Sequence, residues 1–550
     1  MNDVNLRHLD QLLKHFEVHL SHSVGLGELE IALCTSKRNV SIVMKKLSEQ
    51  GWIECTPAVG RSNPSKLTIK RSLQQAITEL LISELNKGSF KLVSRLVDLY
   101  GSTAVRALTL ATEHLNQENE SSNAVLIAAY PWVNTIDPIK TFRHAELHIA
   151  KSVYDVLLVQ SPDGDLMTSL AHDWVMEDKT MTLWLRPGVY RHDGELLQVK
   201  DVVWSIRRLI EGDGPIKDLW QCAERVDAVA PNCLVITLKY ANKFFPYMLA
   251  MSNASIVCRD IQNFDGQYSY HIGTGPFKIE RWCQDSIQLQ AHKDYFSTRA
   301  LLERVTLSYA DVDMQHMISF NCPSDQVEIQ SISSLFYLTY RERLGSSISR
   351  ETWCELADYI HQQKQLYDPI NAVESLAFEP CKAKSEIIAC PSLRGKIVLA
   401  EPRWTIPYLI RNSQWLHDAI RSTGLELEVI IVDNISHPHL VSELADILLI
   451  EDVIEAPIDY GTYEWLSVST GLRFSFDRFQ MDEHQARIKR AISSELASNE
   501  LLEIERSLRL SYTYLPLFCG YEETSKTQQV RGVQVRNTGY SDFYRLWIAQ

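Results

Sequence analysis

Side chains able to contact phosphates and base edges are concentrated in a short stretch near the N-terminus. Lys and Arg neutralise phosphates, while Ser and Asn can bond to phosphates or to base edges. The candidate contacts with double-stranded DNA are Ser36, Lys37, Arg38, Asn39, Ser41, Lys45, Arg61 and Lys66. Between Thr35 and Arg71, eight Lys and Arg residues stand against two Glu, a net charge of +6 on a chain whose total is −14. A positive region of this kind suits nucleic-acid contact, because each neutralised phosphate releases condensed counterions.

A helix followed by a hairpin is expected to position these side chains. Thr35 or Ser36 can cap the helix, and Gly51 can end it in the left-handed conformation. Strands are predicted at 52–55 and 66–69. The apolar residues recur at i, i+3, i+4 and i+7, which gives one buried stripe: Val40, Val43, Met44 and Leu47. This order is the pattern of a winged helix-turn-helix, although a solvated helix face beside a hairpin would carry the same charges.

Two earlier helices are expected to complete a three-helix unit whose third helix lies in the major groove. The second runs from Leu26 to Leu33. The first carries apolar residues at helical spacing, namely Leu6, Leu9, Leu12, Leu13, Phe16 and Leu20. After a strongly helical stretch, residues 117–123 form a polar break. We therefore expect a winged helix-turn-helix domain at 1–72 and a helical connector at 73–122.

Composition limits the protein class. A chain of 550 residues exceeds a single core and predicts several domains. Hydrophobic and charged contents of 45% and 23% are ordinary for a globular protein, and no apolar run reaches the length of a membrane span. Met1 to Leu20 lacks the uninterrupted apolar core of a secretory signal. Eleven scattered cysteines without a CxxC pair suit a reducing compartment. The sequence thus predicts a cytoplasmic protein without membrane contact.

Catalytic and metal-binding patterns are weak. His144 and His148 flank Glu146 in the order HxExH, whereas zinc proteases use HExxH, and no third ligand is evident. The chain also contains no nucleophile elbow, phosphate loop or dinucleotide fingerprint. We predict neither enzymatic activity nor a metal or cofactor.

From residue 124 onwards short strands and helices alternate, which predicts an α/β body with mixed sheets. Its motifs resemble, in order, those of the extracytoplasmic solute-binding proteins of the oligopeptide- and nickel-binding group. They are LAHDW at 170–174, MTLWLRPGV at 181–189 with HDGE at 192–195, DVVWSI at 201–206, IGTGPF at 272–277 and HKDYF at 292–296. Gly273 and Gly275 are expected to adopt backbone conformations that side chains forbid.

This resemblance implies a two-lobed α/β domain of the type II periplasmic-binding-protein kind at 123–550. Lobe I would comprise about 124–310 and 505–550, and lobe II about 330–500. Ligand would be enclosed in the cleft by hinge closure.

The combination of a winged helix with such a body resembles the SgrR-type sugar-phosphate-stress transcriptional regulator family. Tyr130-Pro131, ELHIA at 146–150 and the C-terminal stretch 532–547 extend the resemblance. It implies a ligand-responsive regulator that activates a small regulatory RNA and transport genes. A sugar phosphate, a sugar and a peptide all remain compatible as ligands. The oligomeric state, and the balance of activation and repression, are open.

Six residues are candidate ligand contacts, because aromatic walls with a few convergent polar groups are typical of ligand sites. They are Tyr130, Arg143, His148, Trp404, Asp459 and Tyr460. Arg143 could hold a phosphate or carboxylate by two parallel hydrogen bonds. Core packing of the aromatic residues and a surface ion pair of Arg143 are the alternatives. The alternative function is an oligopeptide- or solute-binding component of an ABC transporter with an N-terminal interaction module.

Overall fold

The computed structural model describes residues 2–56, 64–86, 91–101, 103–108, 111, 123–141, 143–161, 164–264, 266–309, 316–320, 327–381, 389–433, 435, 437–535 and 541–549. The helices discussed below are α1 (Asn2–Leu13), α2 (Leu26–Ala32), α3 (Lys37–Glu49), α4 (Leu73–Asn86), α5 (Lys91–Tyr100), α6 (His144–Val153), α7 (Val199–Glu211), α8 (Lys217–Trp220), α9 (Phe245–Met248), α10 (Arg350–Tyr367), α11 (Pro407–Ser422), α12 (Pro438–Val441), α13 (Ile458–Val468), α14 (Thr470–Ser475), α15 (Arg478–Ile492) and α16 (Ala497–Leu510).

The strands are β1 (Ser21–Val24), β2 (Ile53–Thr56), β3 (Ser65–Ile69), β4 (Ala124–Ala128), β5 (Leu158–Gln160), β6 (Leu166–Thr168), β7 (Ala171–Glu177), β8 (Thr180–Leu185), β9 (Ala223–Ala230), β10 (Cys233–Leu238), β11 (Ile261–Phe264), β12 (Tyr268–His271), β13 (Phe277–Trp282), β14 (Ser286–Ala291), β15 (Arg304–Ser308), β16 (Met317–Phe320), β17 (Glu328–Tyr340), β18 (Lys396–Pro402), β19 (Glu426–Val432), β20 (Ile447–Val453), β21 (Tyr514–Lys526), β22 (Val530–Arg531) and β23 (Trp547–Ile548).

The chain packs as two compact units. The first comprises residues 1–129, 280–288 and 303–317, and the second comprises 130–279, 289–302 and 318–550. Among the helices of the described residues, none is both long and apolar enough to cross a lipid bilayer.

In the first unit, α1, α2 and α3 pack around one core with a three-stranded antiparallel sheet of order β1-β3-β2. The predicted stripe of α3 is confirmed, since its four apolar residues are buried. Gly51 follows α3 with a φ of +73°, as predicted. The hairpin is confirmed by the antiparallel pairing of Cys55 with Leu67.

The first helix is shorter than predicted. It ends at Leu13 rather than reaching Leu20, which is 52% exposed. His19 has a φ of +64°, which a continuing α-helix does not allow. The chain then enters β1, where His22 lies opposite Leu67 of β3. The strand β1 was not predicted from the sequence.

The helices α4 and α5 share the core of α1–α3, to which they contribute Ile77, Leu81 and Leu96. The strand β4 shares the same core through Leu126 and Ala128, and it pairs in parallel with β15. Most of the predicted break at 117–123 lies outside the described residues. The domain limits 1–72, 73–122 and 123–550 therefore stay a prediction, as do the limits of the two lobes.

The second unit contains two main sheets. The strands β7-β8-β10-β9 form an antiparallel sheet, and β21-β17-β20-β18-β19 follow one another in a larger mixed sheet. The long strands β17 and β21 run antiparallel, while β18 runs parallel to both β19 and β20. Buried apolar side chains of β17, β18 and β20 line cores on this sheet with the helices around it. Mixed sheets with intervening helices are the α/β body predicted from the sequence.

The two glycines of the IGTGPF motif are required for a reason other than the one predicted. A Cβ on Gly273 would lie 2.3 Å from the carbonyl oxygen of Val153, and one on Gly275 would lie 2.5 Å from the carbonyl carbon of Val153. Neither glycine has a positive φ. Close approach to the C-terminal end of α6, rather than backbone conformation, excludes a side chain at both positions.

Candidate nucleic-acid interface and ligand residues

The outer face of α3 presents most of the predicted DNA contacts to solvent. Ser36, at the N-cap position, is exposed, as are Lys37, Arg38, Ser41 and Lys45. The burial of one stripe of α3 against α1 and α2 forces the opposite face outward, because successive residues of an α-helix are about 100° apart. The structure therefore brings these five side chains together on one surface.

Two predicted contacts are placed differently, and one is not described. Asn39 is half-buried, and its side-chain amide donates to the hydroxyl oxygen of Thr35 at 2.8 Å. It thus ties the start of α3 to the preceding turn. Lys66 is exposed on β3, opposite Thr56 of β2. Arg61 lies outside the described residues.

Ion pairs divide the basic residues into two groups. Lys70 contacts Glu54 at 2.6 Å and Arg71 contacts Glu79 at 2.5 Å, so their charges are compensated within the protein. The pair between Lys45 and Glu49 is looser, at 3.8 Å. Within the part of the chain that the structure describes, no ion pair involves the remaining four, Lys37, Arg38, Lys46 and Lys66. These cations are the ones left available for an external anion.

Two residues of this surface were not among the predicted contacts. Lys46 is exposed beside Lys45, and Ile42 is 49% exposed between Arg38 and the two lysines. Their helical positions were a usable signal, since both fall outside the apolar stripe. A lone exposed isoleucine is ordinary on a protein surface, so residue type alone does not mark Ile42 as a contact.

Among the candidate ligand residues, Tyr130 and His148 form one buried pair at the start of the second unit. The Tyr130 hydroxyl lies 3.0 Å from Nδ1 of His148 and 2.8 Å from the carbonyl oxygen of Ala145. Nε2 of His148 lies 2.9 Å from the carbonyl oxygen of Ser541. Because a carbonyl can only accept, Nε2 of His148 carries the proton. The single proton of the Tyr130 hydroxyl then lies between two acceptors, the Ala145 carbonyl oxygen and Nδ1 of His148. Both ring nitrogens of His148 thus lie within hydrogen-bond distance of an oxygen atom of the protein.

Arg143 lies at the N-cap position of α6 and contacts Glu146 at 3.3 Å. Glu146 is buried and also accepts from the backbone amides of Asn134 and Thr135 and from the hydroxyl of Thr141. Arg143 itself is 43% exposed. The Glu146 carboxylate therefore holds the segment before α6 in place. The Arg143 guanidinium lies at the solvent-exposed edge of that segment.

Asp459 and Tyr460 begin α13. Tyr460 is fully buried, and its ring stacks on Tyr247 at 5.2 Å between centroids. Asp459 accepts from the Ser498 hydroxyl at 2.9 Å. Trp404 precedes α11, donates to Glu401 at 3.2 Å and packs edge-on against Phe336. The six candidates thus lie on or next to three helices, α6, α11 and α13, and their ligand contacts stay a prediction.

Two partly buried carboxylates were not predicted from the sequence. Glu451 accepts from the hydroxyls of Ser334 and Tyr408 at 2.7 and 2.5 Å. Asp452 accepts from the Tyr337 hydroxyl at 2.5 Å. Burial raises the pKa of both carboxyl groups, while the hydroxyl donors oppose that rise. The signal was present, because ILLIEDV at 447–453 ends a continuous apolar strand with two acidic residues.

Comparison with known families gives two matches. Residues 6–120 match the model described as "Sugar transport-related sRNA regulator N-term", and residues 162–321 match "Bacterial extracellular solute-binding proteins, family 5 Middle". The HTH-type transcriptional regulator SgrR of Escherichia coli O6:K15:H31 is 28% identical over 295 residues, which is 52% of this chain and 51% of the relative. The regulator of the same name from Pectobacterium atrosepticum is 27% identical over 332 residues, 59% of this chain and 58% of the relative. The chain thus spans about half the length of the curated relatives it matches.

Solved structures show the fold of the larger part of the chain. A dipeptide-binding protein of Pseudoalteromonas sp. SM9913 in complex with Met-Leu has a TM-score of 0.60 at 15% identity, covering 77% of this chain and all of that one. OppA of Haemophilus influenzae has a TM-score of 0.62 at 11% identity, covering 78% and 99%. These are two-lobed α/β periplasmic binding proteins of type II, so the predicted fold class is confirmed. The chain thus joins a region that matches the N-terminal model of the sugar transport-related sRNA regulators to a region that matches family 5 of the bacterial extracellular solute-binding proteins.

Proposed function

We propose that the chain is a ligand-responsive transcriptional regulator that binds double-stranded DNA inside the cell. The observation that carries this proposal is the exposed cationic surface formed by α3 and β3. On it, Lys37, Arg38 and Lys46 of α3 and Lys66 of β3 have no ion pair among the described residues. A net charge of +6 over residues 35–71 on a chain of −14 supports it. The similarity to relatives that are named HTH-type transcriptional regulators supports it as well.

The sensing part of the proposal rests on residues 123–550. Proteins of similar fold hold small ligands, such as Met-Leu in the dipeptide-binding protein and mannopinic acid in MoaA. For this chain the ligand class is a sugar phosphate, a sugar or a peptide, sensed under sugar-phosphate stress. Ligand changes DNA affinity only if it binds one conformation of the protein better than the other.

The test has two arms on the full-length chain. The first selects binding sequences from a random duplex DNA pool and measures affinity by fluorescence anisotropy between about 50 and 200 mM salt, a range over which phosphate contacts weaken steeply. The second screens sugar phosphates, sugars and short peptides by thermal shift, since a ligand of the native state raises Tm. Salt-sensitive duplex binding and at least one concentration-dependent Tm increase are expected. Absence of duplex binding at about 50 mM salt would contradict the proposed regulator function.

The second candidate is a solute-binding component of an ABC transporter whose N-terminal unit binds another protein. The likeness of 77–79% of the chain to peptide- and nickel-binding proteins favours it. Cell fractionation separates the two proposals: recovery with the envelope, and not with the nucleoid, would support the transporter component.

A further inference from the structure

Ile42 projects from the cationic face of α3. The whole of α3 is described, and every other apolar residue of this helix is buried: Val40, Val43, Met44 and Leu47. Ile42 is 49% exposed. At about 100° per residue, it shares the outermost stripe of the helix with Arg38, four residues earlier, and Lys45, three residues later. It therefore points away from the core of the first unit.

The surroundings of Ile42 are cationic. Arg38, Lys45 and Lys46 are exposed on the adjoining turns of the same helix. An apolar side chain flanked by cations complements the floor of the major groove, where the thymine C5 methyl is the apolar group among hydrogen-bonding base edges. The phosphates that border the groove would then lie near the cations. A neutral apolar protein partner would leave these cations uncompensated.

We propose that Ile42 is a specificity-determining residue that packs against the C5 methyl group of a thymine in the bound duplex. The proposal rests on the DNA-binding function proposed above and deepens it. Arg38, Lys45 and Lys46 supply affinity that is independent of sequence, and Ile42 distinguishes thymine from the other bases at one position of each site.

The experiment removes the methyl group rather than the base. The duplex most enriched by the full-length protein is synthesised with each thymine replaced in turn by deoxyuridine, which keeps all Watson–Crick and major-groove hydrogen bonds. For the native protein, one position should lose about fourfold in affinity, the effect of exposing one buried methyl-sized group. With Ile42→Ala, affinity for the thymine duplex should fall by a similar factor, and the replacement at that position should no longer matter.

A matched control is available on the same unit. Ile31 on α2 is 73% exposed and lies outside α3. Ile31→Ala should keep the full thymine-over-uracil preference of the native protein. Because Ile42 and Ile31 are both exposed, neither variant should change Tm, and the native melting curve serves as the folding control.

The possible outcomes distinguish a failure of the Ile42 assignment from a failure of the proposed DNA-binding function. If the protein binds duplex DNA but no thymine replacement changes affinity, or if Ile42→Ala keeps the native preference, the assignment of Ile42 is overturned and the regulator stands. If Ile42→Ala instead changes the molar mass in solution and leaves thymine preference intact, Ile42 belongs to a contact between protein chains, which also overturns it. Absence of any duplex binding contradicts the proposed function.

Discussion

Nε2 of His148 lies 2.9 Å from the carbonyl oxygen of Ser541, a residue 393 positions further along the chain. The ring also meets Phe543 edge-on, with 4.3 Å between centroids. The helix α6 and the C-terminal segment are thus held together by a buried neutral imidazole. Burial is the main cause that lowers the pKa of His148 to about 3, although the hydrogen bond to Ser541 raises it.

Acid should therefore destabilise the protein through His148. Between pH 6.5 and about 3 the unfolded chain binds a proton at this residue and the folded chain does not. Stability is lost as pH falls through this window, by about 1.4 kcal/mol per pH unit for one such group. His148→Gln keeps a donor for Ser541 but cannot be protonated, so its stability should fall less steeply with acid.

The measurement is urea denaturation of both proteins at pH 7, 6 and 5. The exposed His439 supplies the control, since His439→Gln should keep the native slope. A His148→Gln variant whose stability declines as steeply as that of the native chain would contradict the neutral, buried imidazole.

Removing two cations from the face of α3 should weaken DNA binding and its dependence on salt. Each lost phosphate contact lowers the slope of log K against log salt concentration by about 0.9. Lys37→Ala with Arg38→Ala should therefore reduce the slope by up to about 2, as measured by anisotropy titrations on the selected duplex.

Lys14→Ala is the matched control, because Lys14 is exposed directly after α1 and already pairs with Asp10 at 3.0 Å. It should leave the slope unchanged. Equal slopes for the double variant and the native protein would remove the N-terminal turn of α3 from the interface.

Shortening Leu47 should unfold the first unit more easily. Leu47 is fully buried where α3 packs into the core of this unit. Leu47→Ala leaves a cavity, which typically costs about 2–5 kcal/mol. The exposed Leu26 of α2 offers the comparison, and Leu26→Ala should stay within about 0.5 kcal/mol. Chemical denaturation followed by far-UV circular dichroism measures both; similar small effects would mean that α3 is not packed as described.

Lys364 should make the stability of the protein depend on pH in the alkaline range. Its ammonium group is fully buried and donates to the carbonyl oxygens of Val373 and Pro516 at 2.5 and 2.6 Å. Burial lowers the pKa of Lys364 from 10.5 to about 8. Between pH 8 and 10.5 the unfolded chain holds the extra proton, so this group adds stability as pH rises.

Lys364→Met removes that contribution and leaves both carbonyls without their ammonium donor. The stability of the native protein minus that of the variant should therefore increase from pH 8 to pH 10, by about 1.4 kcal/mol per pH unit at most. A difference that stays flat over this range in urea denaturation would show that Lys364 titrates normally.

Local features of the first unit could be predicted because their causes are close in sequence. The stripe of α3 follows from helical spacing within a few turns, and Gly51 ends the helix through its own φ. The strand β1 could not be predicted in this way, because Ser21–Val24 is defined by pairing with β3 more than forty positions later. The half-buried position of Asn39 has a local partner, because its side-chain amide bonds to Thr35 four residues earlier, but helical spacing alone does not reveal that bond.

The sequence alone determined the two-part design, because charge patterning, helical periodicity and ordered motifs are properties of the chain itself. The tertiary structure decided which polar groups are paired within the protein and which remain available to an external partner. The Tyr130 hydroxyl lies against His148 and Ala145, Lys70 and Arg71 pair with Glu54 and Glu79, and the backbone of Val153 leaves no room for a side chain at position 273. Each of these contacts joins different segments of the chain, and packing sets the distances between them, which residue order does not state.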